Sequence, residues 1–338
     1  MWYDALLSYF FELTIDVTAA IETFDLSKTF APLLRPFTRR KPSVALDGIT
    51  LTIPHGEVFG LIGPNGAGKT TFIKLLCGLI LPTRGTARVC GFDLVRQAST
   101  LQSRLGLVTS DERSFYWRLT ARQNLEFFAA LYDLRGATGR KRVEELLALV
   151  NLTEDADRRF DAYSTGMKQR LAVARGLLHD PDILFLDEPT KGLDPLATRR
   201  VHDLVLDLVQ RGKTVVMATQ RLEEAEKLCR RIAFFGRGRV KAQGTLAELR
   251  AHWAGGEQYI LRVAGLRESA LAQLCARFPA LRVSREDETT RTLALPVAPD
   301  GDELSGVLSF LVSAGVVVRE INRTRADLET VFARIMQA

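Results

Sequence analysis

Residues 58–79 read VFGLIGPNGAGKTTFIKLLCGL, and this stretch decides the fold. It opens with a short apolar run that predicts a buried strand, and the pattern from Lys69 onward predicts a helix. Between them, Gly63–Thr70 fits the motif G-x-x-x-x-G-K-[ST] in the expected strand-to-helix context. The glycines let backbone N–H groups turn toward phosphate oxygens, and the helix N-terminus adds its positive dipole end. We therefore expect Lys69 to hold the β- and γ-phosphates of a nucleotide and Thr70 to ligate Mg²⁺.

A second apolar run, Ile183–Leu186, ends in two adjacent carboxylates, Asp187 and Glu188. Because side chains alternate along a strand, these two point in different directions. We expect Asp187 to reach the magnesium shell. Glu188 is predicted to face a water in line with the γ-phosphate, as a general base or a water-orienting group. A strand ending in Asp-Glu is a weak signal alone, but the phosphate loop upstream makes it strong.

Strand-like runs alternate with helix-like periodicities over residues 44–229, which predicts an α/β fold with a mostly parallel sheet. The mainly helical stretch at residues 115–178 lies between two strand regions and predicts a helical subdomain. Beyond Ala251 the pattern changes, and Gly255 and Gly256 indicate a linker. Residues 257–338 then follow the order strand, helix, strand, strand, helix, strand, helix, which predicts a small C-terminal α/β domain.

The net charge of the sequence changes sign within the first 42 residues, from acidic to basic. Residues 1–20 predict an amphipathic helix with an acidic face, and packing on the rest of the chain is the favoured interpretation. A signal peptide is rejected because the start lacks basic residues. Residues 31–42 carry four basic residues, no acid and three prolines, which predicts an extended loop. That loop is either a solvated insertion or a contact for phosphate headgroups at a membrane surface.

Composition excludes several classes of protein. The 46 Lys and Arg residues against 40 Asp and Glu give a net charge of +6, too weak an excess to indicate nucleic acid as a partner. The cysteines match neither a disulfide framework nor a zinc site, and the histidines lack ligand spacing. A reducing, cytosolic setting fits best. The sequence contains no apolar run near the roughly 20 residues that cross a bilayer.

Residues 163–171 read YSTGMKQRL and are followed by AVARGLLHDPDILFLDEPTKGLDP. Here the chain resembles the ABC ATPase family, whose signature LSGGQ corresponds to YSTGMKQ, and the resemblance covers about residues 21–245. Ser164 and Gly166 open a helix, so they offer a hydroxyl and backbone N–H groups to a phosphate. In the family that phosphate belongs to ATP held by the phosphate loop of a second subunit. The resemblance implies a P-loop ATPase core, ATP and Mg²⁺ as cofactors, and a homodimer or a paired ATPase subunit.

The resemblance also implies a set of site residues. Asp194, in GLDP, resembles the aspartate that links the two sites across the dimer. The adenine would stack on Phe30, with Phe37 as the alternative, and either could instead be ordinary core. The implied catalytic residues are Lys69, Glu188 and Gln220, the metal-binding residues are Thr70, Asp187 and Ser110, and the nucleotide-binding residues are Phe30, Asn65, Gly66, Gly68, Lys69, Thr70, Thr71, Ser164, Gly166, Gln169 and Asp194.

Two positions depart from the family pattern. Ser110, followed by Asp111 and Glu112, stands where members usually carry a glutamine. Either acid could substitute for that glutamine as a magnesium or water contact. Gln220 stands where the family's switch histidine is expected. A glutamine can still donate to the γ-phosphate, but it is neutral and cannot titrate near pH 7. We therefore expect hydrolysis that is slower or differently gated.

The expected function is that of a transporter motor. The aromatic residues Phe115, Tyr116 and Trp117 lie where the family receives a helix from an integral membrane permease, although they could equally be core. The tail ends in LETVFARI and resembles the small C-terminal domain of exporter-type subunits. The expectation is therefore a cytoplasmic subunit, peripheral on the inner face of the cell membrane, that drives export, with import as the less favoured alternative.

Two alternative classes of protein are disfavoured because the sequence lacks the motifs that are typical of them. A non-transport ABC ATPase of translation or DNA repair would show tandem phosphate loops or a long coiled coil, and this chain shows neither. An unrelated P-loop kinase or GTPase lacks YSTGMKQ, and a GTPase would carry an N-K-x-D guanine motif.

Overall fold

The computed structural model describes residues 19–31, 42–109, 114–253, 258–287, 289–296, 303–324 and 328–337. The chain divides into two compact units, Met1–Lys241 and Ala242–Ala338. The strands are β1 (Ala19–Phe30), β2 (Ser43–Pro54), β3 (Val58–Ile62), β4 (Arg84–Val89), β5 (Phe92–Asp93), β6 (Leu105–Thr109), β7 (Ile183–Asp187), β8 (Thr214–Thr219), β9 (Arg231–Gly236), β10 (Arg239–Thr245), β11 (Gln258–Ala264), β12 (Arg282–Arg285), β13 (Thr290–Pro296) and β14 (Val317–Thr324). The α-helices are α1 (Lys69–Leu76), α2 (Ala98–Gln102), α3 (Ala121–Leu131), α4 (Gly136–Leu149), α5 (Thr165–Gly176), α6 (Pro195–Gln210), α7 (Leu222–Leu228), α8 (Leu246–Trp253), α9 (Glu268–Arg277), α10 (Glu303–Ser313) and α11 (Leu328–Gln337).

A six-stranded sheet in the order β10-β9-β3-β8-β7-β6 forms the centre of the first unit. Within this sheet, β9, β3, β8, β7 and β6 pair with one another in parallel. Every residue of β3 and of β8 is buried, as expected for apolar strands covered on both faces. The register pairs Ile62 with Thr219, and Asp187 with Ala218. The carboxyl ends of β3, β8 and β7 therefore lie level at one edge of the sheet.

A second sheet, in the order β2-β1-β4-β5, is antiparallel. One hydrophobic core joins residues of both sheets with α1, and its largest members include Phe59, Phe72, Phe185 and Phe235. The rings of Phe72 and Phe235 lie 5.4 Å apart. Burial of such a side chain contributes about 1.5–3 kcal/mol relative to exposure. This core fixes α1, and with it the loop that precedes α1, against the central sheet.

The helical subdomain contains α3, α4 and α5, and buried polar side chains tie it together. Thr120 forms a capping box with Gln123 at the start of α3. Asn124 is fully buried; it accepts the Tyr116 N–H at 2.9 Å and donates to the Tyr116 carbonyl at 3.0 Å. The buried Arg170 of α5 donates to the carbonyls of Val150 and Asn151, at 2.7 Å each. These bonds satisfy backbone groups that would cost about 1–3 kcal/mol each if buried without partners.

The second unit carries an antiparallel sheet in the order β12-β13-β11-β14. Its core includes Leu261, Leu293, Val307 and Leu311. The order of elements from β11 to α11 confirms the predicted order strand, helix, strand, strand, helix, strand, helix. Within the described part of the chain, no helix combines the length and the apolar character that a bilayer span requires.

The sequence pattern missed β1. Residues 1–18 of the expected N-terminal helix lie outside the described residues, and Ala19 already belongs to the strand. The register of β1 against β2 shifts between Thr23 and Leu26, where Asp25 adopts a left-handed backbone with φ of 50°. That irregularity breaks the alternation of apolar and polar residues by which a strand is recognised.

Candidate functional site

A cleft of about 280 Å³ opens at the edge of the central sheet where β3 and β7 end. It is lined by Ala45, Asn65, Gly66, Ala67, Gly68, Lys69, Thr70, Thr71, Asp187, Glu188 and Lys191. The predicted phosphate-loop residues and both carboxylates therefore share one cleft. The sequence interpretation missed Ala45 and Lys191. The basic Lys191 follows Glu188 by three residues, and that spacing was the available signal.

The loop between β3 and α1 requires glycine at two positions, Gly63 and Gly68. At Gly68, φ is +106°, and a Cβ would lie 2.7 Å from Leu46 Cδ2 and 2.8 Å from the Ala45 carbonyl oxygen. At Gly63, a Cβ would lie 2.3 Å from the carbonyl oxygen of Phe235. Contacts below 3.0 Å with backbone atoms are not tolerated, so both glycines permit close packing of the loop on its neighbours. The loop shape is therefore built into the fold.

Lys69 lies at the centre of the cleft and is only 5% exposed. Its Nζ donates to the carbonyls of Gly63 at 2.6 Å and Pro64 at 3.1 Å, and lies 3.9 Å from Glu188 Oε1. Burial lowers the pKa of Lys69 below its ordinary value, while the charges of Glu188 and Asp187 oppose that shift. Carbonyls and carboxylates thus hold the ammonium group where phosphate oxygens would reach it.

Thr70 and Asp187 meet across the cleft. The Thr70 hydroxyl donates to Asp187 Oδ2 at 2.7 Å, linking the first turn of α1 to the end of β7. The second carboxylate oxygen, Asp187 Oδ1, is buried without a hydrogen-bond partner. A hydroxyl beside a carboxylate with an unpartnered oxygen is a donor set that suits Mg²⁺, which binds few protein oxygens and keeps water and phosphate as its other ligands. The residues present therefore fit this ion.

Glu188 directly follows β7 in an unusual backbone conformation. Its φ is 54°, in the left-handed region, and its N–H donates to the Ala218 carbonyl at 2.9 Å. A non-glycine residue held there costs about 1–3 kcal/mol, and such strain clusters at functional sites. Burial raises the pKa of the Glu188 carboxyl, Lys69 opposes the shift, and Asp187 adds to it. A raised carboxyl pKa strengthens the group as a proton acceptor.

The predicted signature residues lie elsewhere. Ser164 is the N-cap of α5, where its side chain accepts the Met167 N–H at 3.3 Å, and it is exposed. Asp194 caps α6 in the same way and accepts the Ala197 N–H at 2.8 Å. A Cβ on Gly166 would lie 2.8 Å from Ala197 Cβ, so glycine allows α5 to approach α6. Gln169, also on α5, is buried, at 9% exposure. None of these residues lines the cleft of its own chain.

Of the remaining predicted residues, Gln220 and Phe30 are exposed, and the others lie outside the described residues. Gln220 is exposed and directly follows β8, at the edge of the sheet that carries the cleft. Phe30 is 43% exposed at the end of β1, with Lys28 Nζ 5.1 Å from its ring, and pairs with Ser43, two residues before the cleft residue Ala45. Ser110, its neighbours Asp111 and Glu112, and Phe37 lie outside the described residues.

The aromatic cluster after Ser110 divides between core and surface. Phe115 is buried and stacks on Phe160, with ring centroids 4.7 Å apart. Tyr116 and Trp117 are about half exposed, at 50% and 49%. An apolar cleft of about 540 Å³ lies between the central sheet and the helical subdomain, lined by residues that include Leu79, Phe128 and His179. The first unit therefore has both a polar cleft and an apolar one.

Comparisons with known proteins agree with this geometry. A family model described as ABC transporter matches residues 46–191. Daunorubicin resistance ATP-binding protein DrrA3 of Streptomyces coeruleorubidus is 40% identical over 292 residues, which cover 86% of this chain and 90% of that protein. Nod factor export ATP-binding protein I of Ralstonia nicotianae (strain ATCC BAA-1114 / GMI1000) is 37% identical over 290 residues, covering 86% and 88%.

A solved structure is similar as well. The dimeric post-hydrolysis state of the ATP-binding cassette MJ0796, bound to ADP and Pi, matches with a TM-score of 0.59 and 27% identity, covering 67% of this chain and 98% of that one. Fold and cleft thus define a P-loop ATPase of the cassette type. The chain belongs to the family of ABC transporter ATP-binding proteins, which confirms the resemblance seen in its motifs. It is an ATP-binding subunit with ATPase activity.

The substitution Gly68→Ala tests the loop geometry. We expect nucleotide binding to weaken by at least about tenfold, because the added Cβ would contact Leu46 and the Ala45 carbonyl while φ is positive. Gly212→Ala is the matched control, since Gly212 also has positive φ but has no atom within 4 Å of its Cβ position. Titration with a fluorescent ATP analogue measures the affinity. Equal affinities for both variants would contradict this account of the loop.

Proposed function

We propose that two copies of this chain bind two ATP molecules between them and that closure of this dimer drives transport through separate membrane subunits. The observation that carries the proposal is the division of the site. Lys69, Thr70, Asp187 and Glu188 meet in one cleft, while the exposed N-terminus of α5, with Ser164 as its cap, does not line it. The free N–H groups and dipole of that helix end suit a phosphate presented by a second copy. Asp194, exposed as the cap of α6, is the proposed link across the dimer.

We propose Thr70 and Asp187 as the protein ligands of Mg²⁺, with Ser110 as a further ligand. The short hydrogen bond between Thr70 and Asp187 and the unpartnered Asp187 Oδ1 support this assignment. When bound, the ion would neutralise charge on the β- and γ-phosphates. The backbone N–H groups at Asn65, Gly66 and Gly68, the first turn of α1 with Thr71, and the Lys69 ammonium group would hold the phosphates, and Phe30 would stack on the adenine.

For hydrolysis, the proposed base is Glu188. Its carboxylate would accept a proton from a water in line with the γ-phosphorus atom, as that water's oxygen attacks and the bond to the ADP oxygen breaks. Lys69 would stabilise charge on the γ-phosphate oxygens. Gln220 would donate a hydrogen bond from its amide to the same phosphate, without exchanging a proton. Burial of Glu188 supports this role, because it favours the state in which the carboxyl has taken up the proton.

We propose that the transport is export, through integral membrane permease subunits. The names of the relatives support this direction, since they include a Nod factor export protein and daunorubicin resistance proteins. The proposed docking surface for the permease comprises the apolar cleft and the half-exposed Tyr116 and Trp117. The ring of Tyr116 lies 6.5 Å from that of Phe128, which lines the cleft. Residues 21–250 would form the nucleotide-binding domain and residues 257–338 an accessory domain. The subunit would then lie on the cytoplasmic face of the membrane.

Glu188→Gln tests the catalytic assignment. We expect ATP turnover to fall by about 100-fold or more, because the amide cannot accept the proton, while ATP affinity stays unchanged. Light scattering should then show an ATP-dependent dimer that persists. Glu154→Gln, at an exposed site on the helical subdomain, is the control and should keep parental turnover. Retained turnover in Glu188→Gln would reject the assignment. Full turnover by a parental monomer at high dilution would reject the shared site.

The substitution Gln220→His tests whether glutamine at the position of the family's switch histidine slows hydrolysis. We expect this change to raise ATP turnover severalfold in the complex with the membrane subunits, because an imidazole can donate to the γ-phosphate and can also carry a charge. Gln210→His, at the exposed end of α6, makes the same chemical change away from the cleft. Steady-state release of phosphate is the measurement. Turnover equal to or below that of the parent would refute the expectation.

Trp117→Ala tests the docking surface. We expect about tenfold less integral membrane protein to copurify with the tagged chain, because a large exposed aromatic side chain is lost from the contact. Leu206→Ala removes a side chain of similar exposure, 40%, from α6 and should leave copurification unchanged. Circular dichroism verifies that both variants are folded. Unchanged recovery of the membrane protein with Trp117→Ala would count against this surface.

A further inference from the structure

Glu224, on α7, is a buried carboxylate that lies outside the nucleotide cleft. Its side chain is only 2% exposed. One oxygen, Oε1, accepts a hydrogen bond from the Thr190 hydroxyl at 2.7 Å and contacts His202 Nε2 at 3.1 Å. Thr190 is itself 2% exposed, so this contact is shielded from solvent. A buried carboxylate is costly unless it is hydrogen-bonded; Oε1 has partners from two other segments, whereas Oε2 is buried without one.

The partners of Glu224 belong to segments that carry proposed site residues. Thr190 lies two residues after Glu188, and Glu224 lies four residues after Gln220. His202 lies on α6, the helix that Asp194 caps. A single carboxylate therefore connects the loop after β7, the helix after Gln220 and the helix after Asp194. No nucleotide-binding role was predicted for Glu224, Thr190 or His202.

The charge state of Glu224 defines the direction of these bonds. Burial alone would raise the pKa of its carboxyl, but the nearby polar side chains of His202, Thr219 and Thr190 outweigh burial and leave the pKa below its ordinary value. An ionised carboxylate is only an acceptor, so the Thr190 hydroxyl must donate to it. Thr219, the last residue of β8, directly precedes Gln220. The carboxylate is thus bonded to a residue two positions after Glu188, and the helix that carries it begins two positions after Gln220.

The backbone at Glu188 depends on such support. Its left-handed φ of 54° is strained, and its N–H is bonded to Ala218, the residue before Thr219. Strain of this kind persists when surrounding contacts over-determine the conformation. The bond from Thr190 to Glu224 holds the turn that follows Glu188, and the backbone bond to Ala218 holds the residue itself. Together they restrain the backbone at Glu188 against β8 and the turn that follows it against α7.

We propose that Glu224 is a positioning residue for ATP hydrolysis, which fixes Glu188 relative to Gln220 through Thr190 and α7. This inference rests on the roles proposed above for Glu188 and Gln220. Glu224 does not line the cleft and is not expected to contact ATP. Its loss should therefore lower kcat and leave KM nearly unchanged, because misplacing a reacting group impairs the chemical step more than ground-state binding.

Thr190→Val, in the full-length chain with Mg²⁺ and ATP, is the main experiment. It keeps the shape of the side chain but removes the donor to Glu224, and we expect kcat to fall by about tenfold with KM within about twofold of the parent. Thr190→Ser keeps the hydroxyl and should retain most of the parental kcat. Thr198→Val is the matched control, because the Thr198 hydroxyl is also buried but has no hydrogen-bond partner. It should leave kcat unchanged.

Glu224→Gln is the second variant, since it keeps the shape of the acceptor but removes its charge. We expect it to lower kcat in the same way, with the midpoint of thermal unfolding reported for every variant. Parental kcat in both Thr190→Val and Glu224→Gln would overturn the inference. So would an equal loss of kcat in Thr190→Ser or Thr198→Val. Turnover by Glu188→Gln at the parental rate would instead overturn the proposed function, so the two failures are distinguishable.

Discussion

The hydrogen bond from the Thr70 hydroxyl to Asp187 Oδ2 closes the nucleotide cleft, and the central sheet makes that bond possible. Thr70 lies in the first turn of α1, the helix after β3, and Asp187 is the last residue of β7; β8 separates β3 from β7 in the sheet. Parallel pairing holds the three strands in register, so their carboxyl ends lie level and the groups that follow them converge. A slip of one residue in either pairing would turn the alternating side chains to the opposite face and separate this pair. Most of the buried core serves to hold that register.

Electrostatics in the cleft follow from its burial. Lys69 and Glu188 carry opposite charges 3.9 Å apart, and both side chains are largely shielded from water. Burial shifts their pKa values in the directions that disfavour charge, while each partly restores the charge of the other. Breaking such a pair leaves an uncompensated charge in a low-dielectric site, which is more costly than the pair is favourable. A nucleotide phosphate would offer Lys69 a further anion within reach of the same ammonium group.

The sequence pointed to most of the residues that line the cleft, because its motifs encode backbone geometry directly. A glycine pattern between a strand and a helix has few physical interpretations, and residues 65–70 line the cleft as that pattern implies. Asp187 and Glu188 were predicted for a similar reason, since an apolar strand that ends in carboxylates is local information. The order of elements in the C-terminal unit was also visible, because each element there keeps a regular period.

Other features depended on contacts between distant segments. Strand β1 has a left-handed residue, Asp25, that breaks its alternation, so it becomes recognisable only through its pairing with β2 and β4. The bond between Thr190 and Glu224 joins residues 34 positions apart, and Glu224 belongs to none of the motifs identified in the sequence. The sequence also could not tell which aromatic residue of this cluster is buried. Phe115 and Trp117 are both large and aromatic, but Phe115 lies in the core and Trp117 is half exposed.

The two halves of the site differ in how firmly the fold holds them. Lys69 and Thr70 begin a helix packed on the core, so the groups proposed to bind phosphate are set by rigid elements. Glu188 and Gln220 instead follow the ends of their strands, where placement depends on loop backbone. A pre-formed loop can bind ATP in one chain, since its geometry needs no partner. Hydrolysis needs a water aligned within a fraction of an ångström, which loops reach only when further contacts restrain them. The proposed dependence of turnover on a second copy agrees with the position of Glu188 and Gln220 in loop backbone.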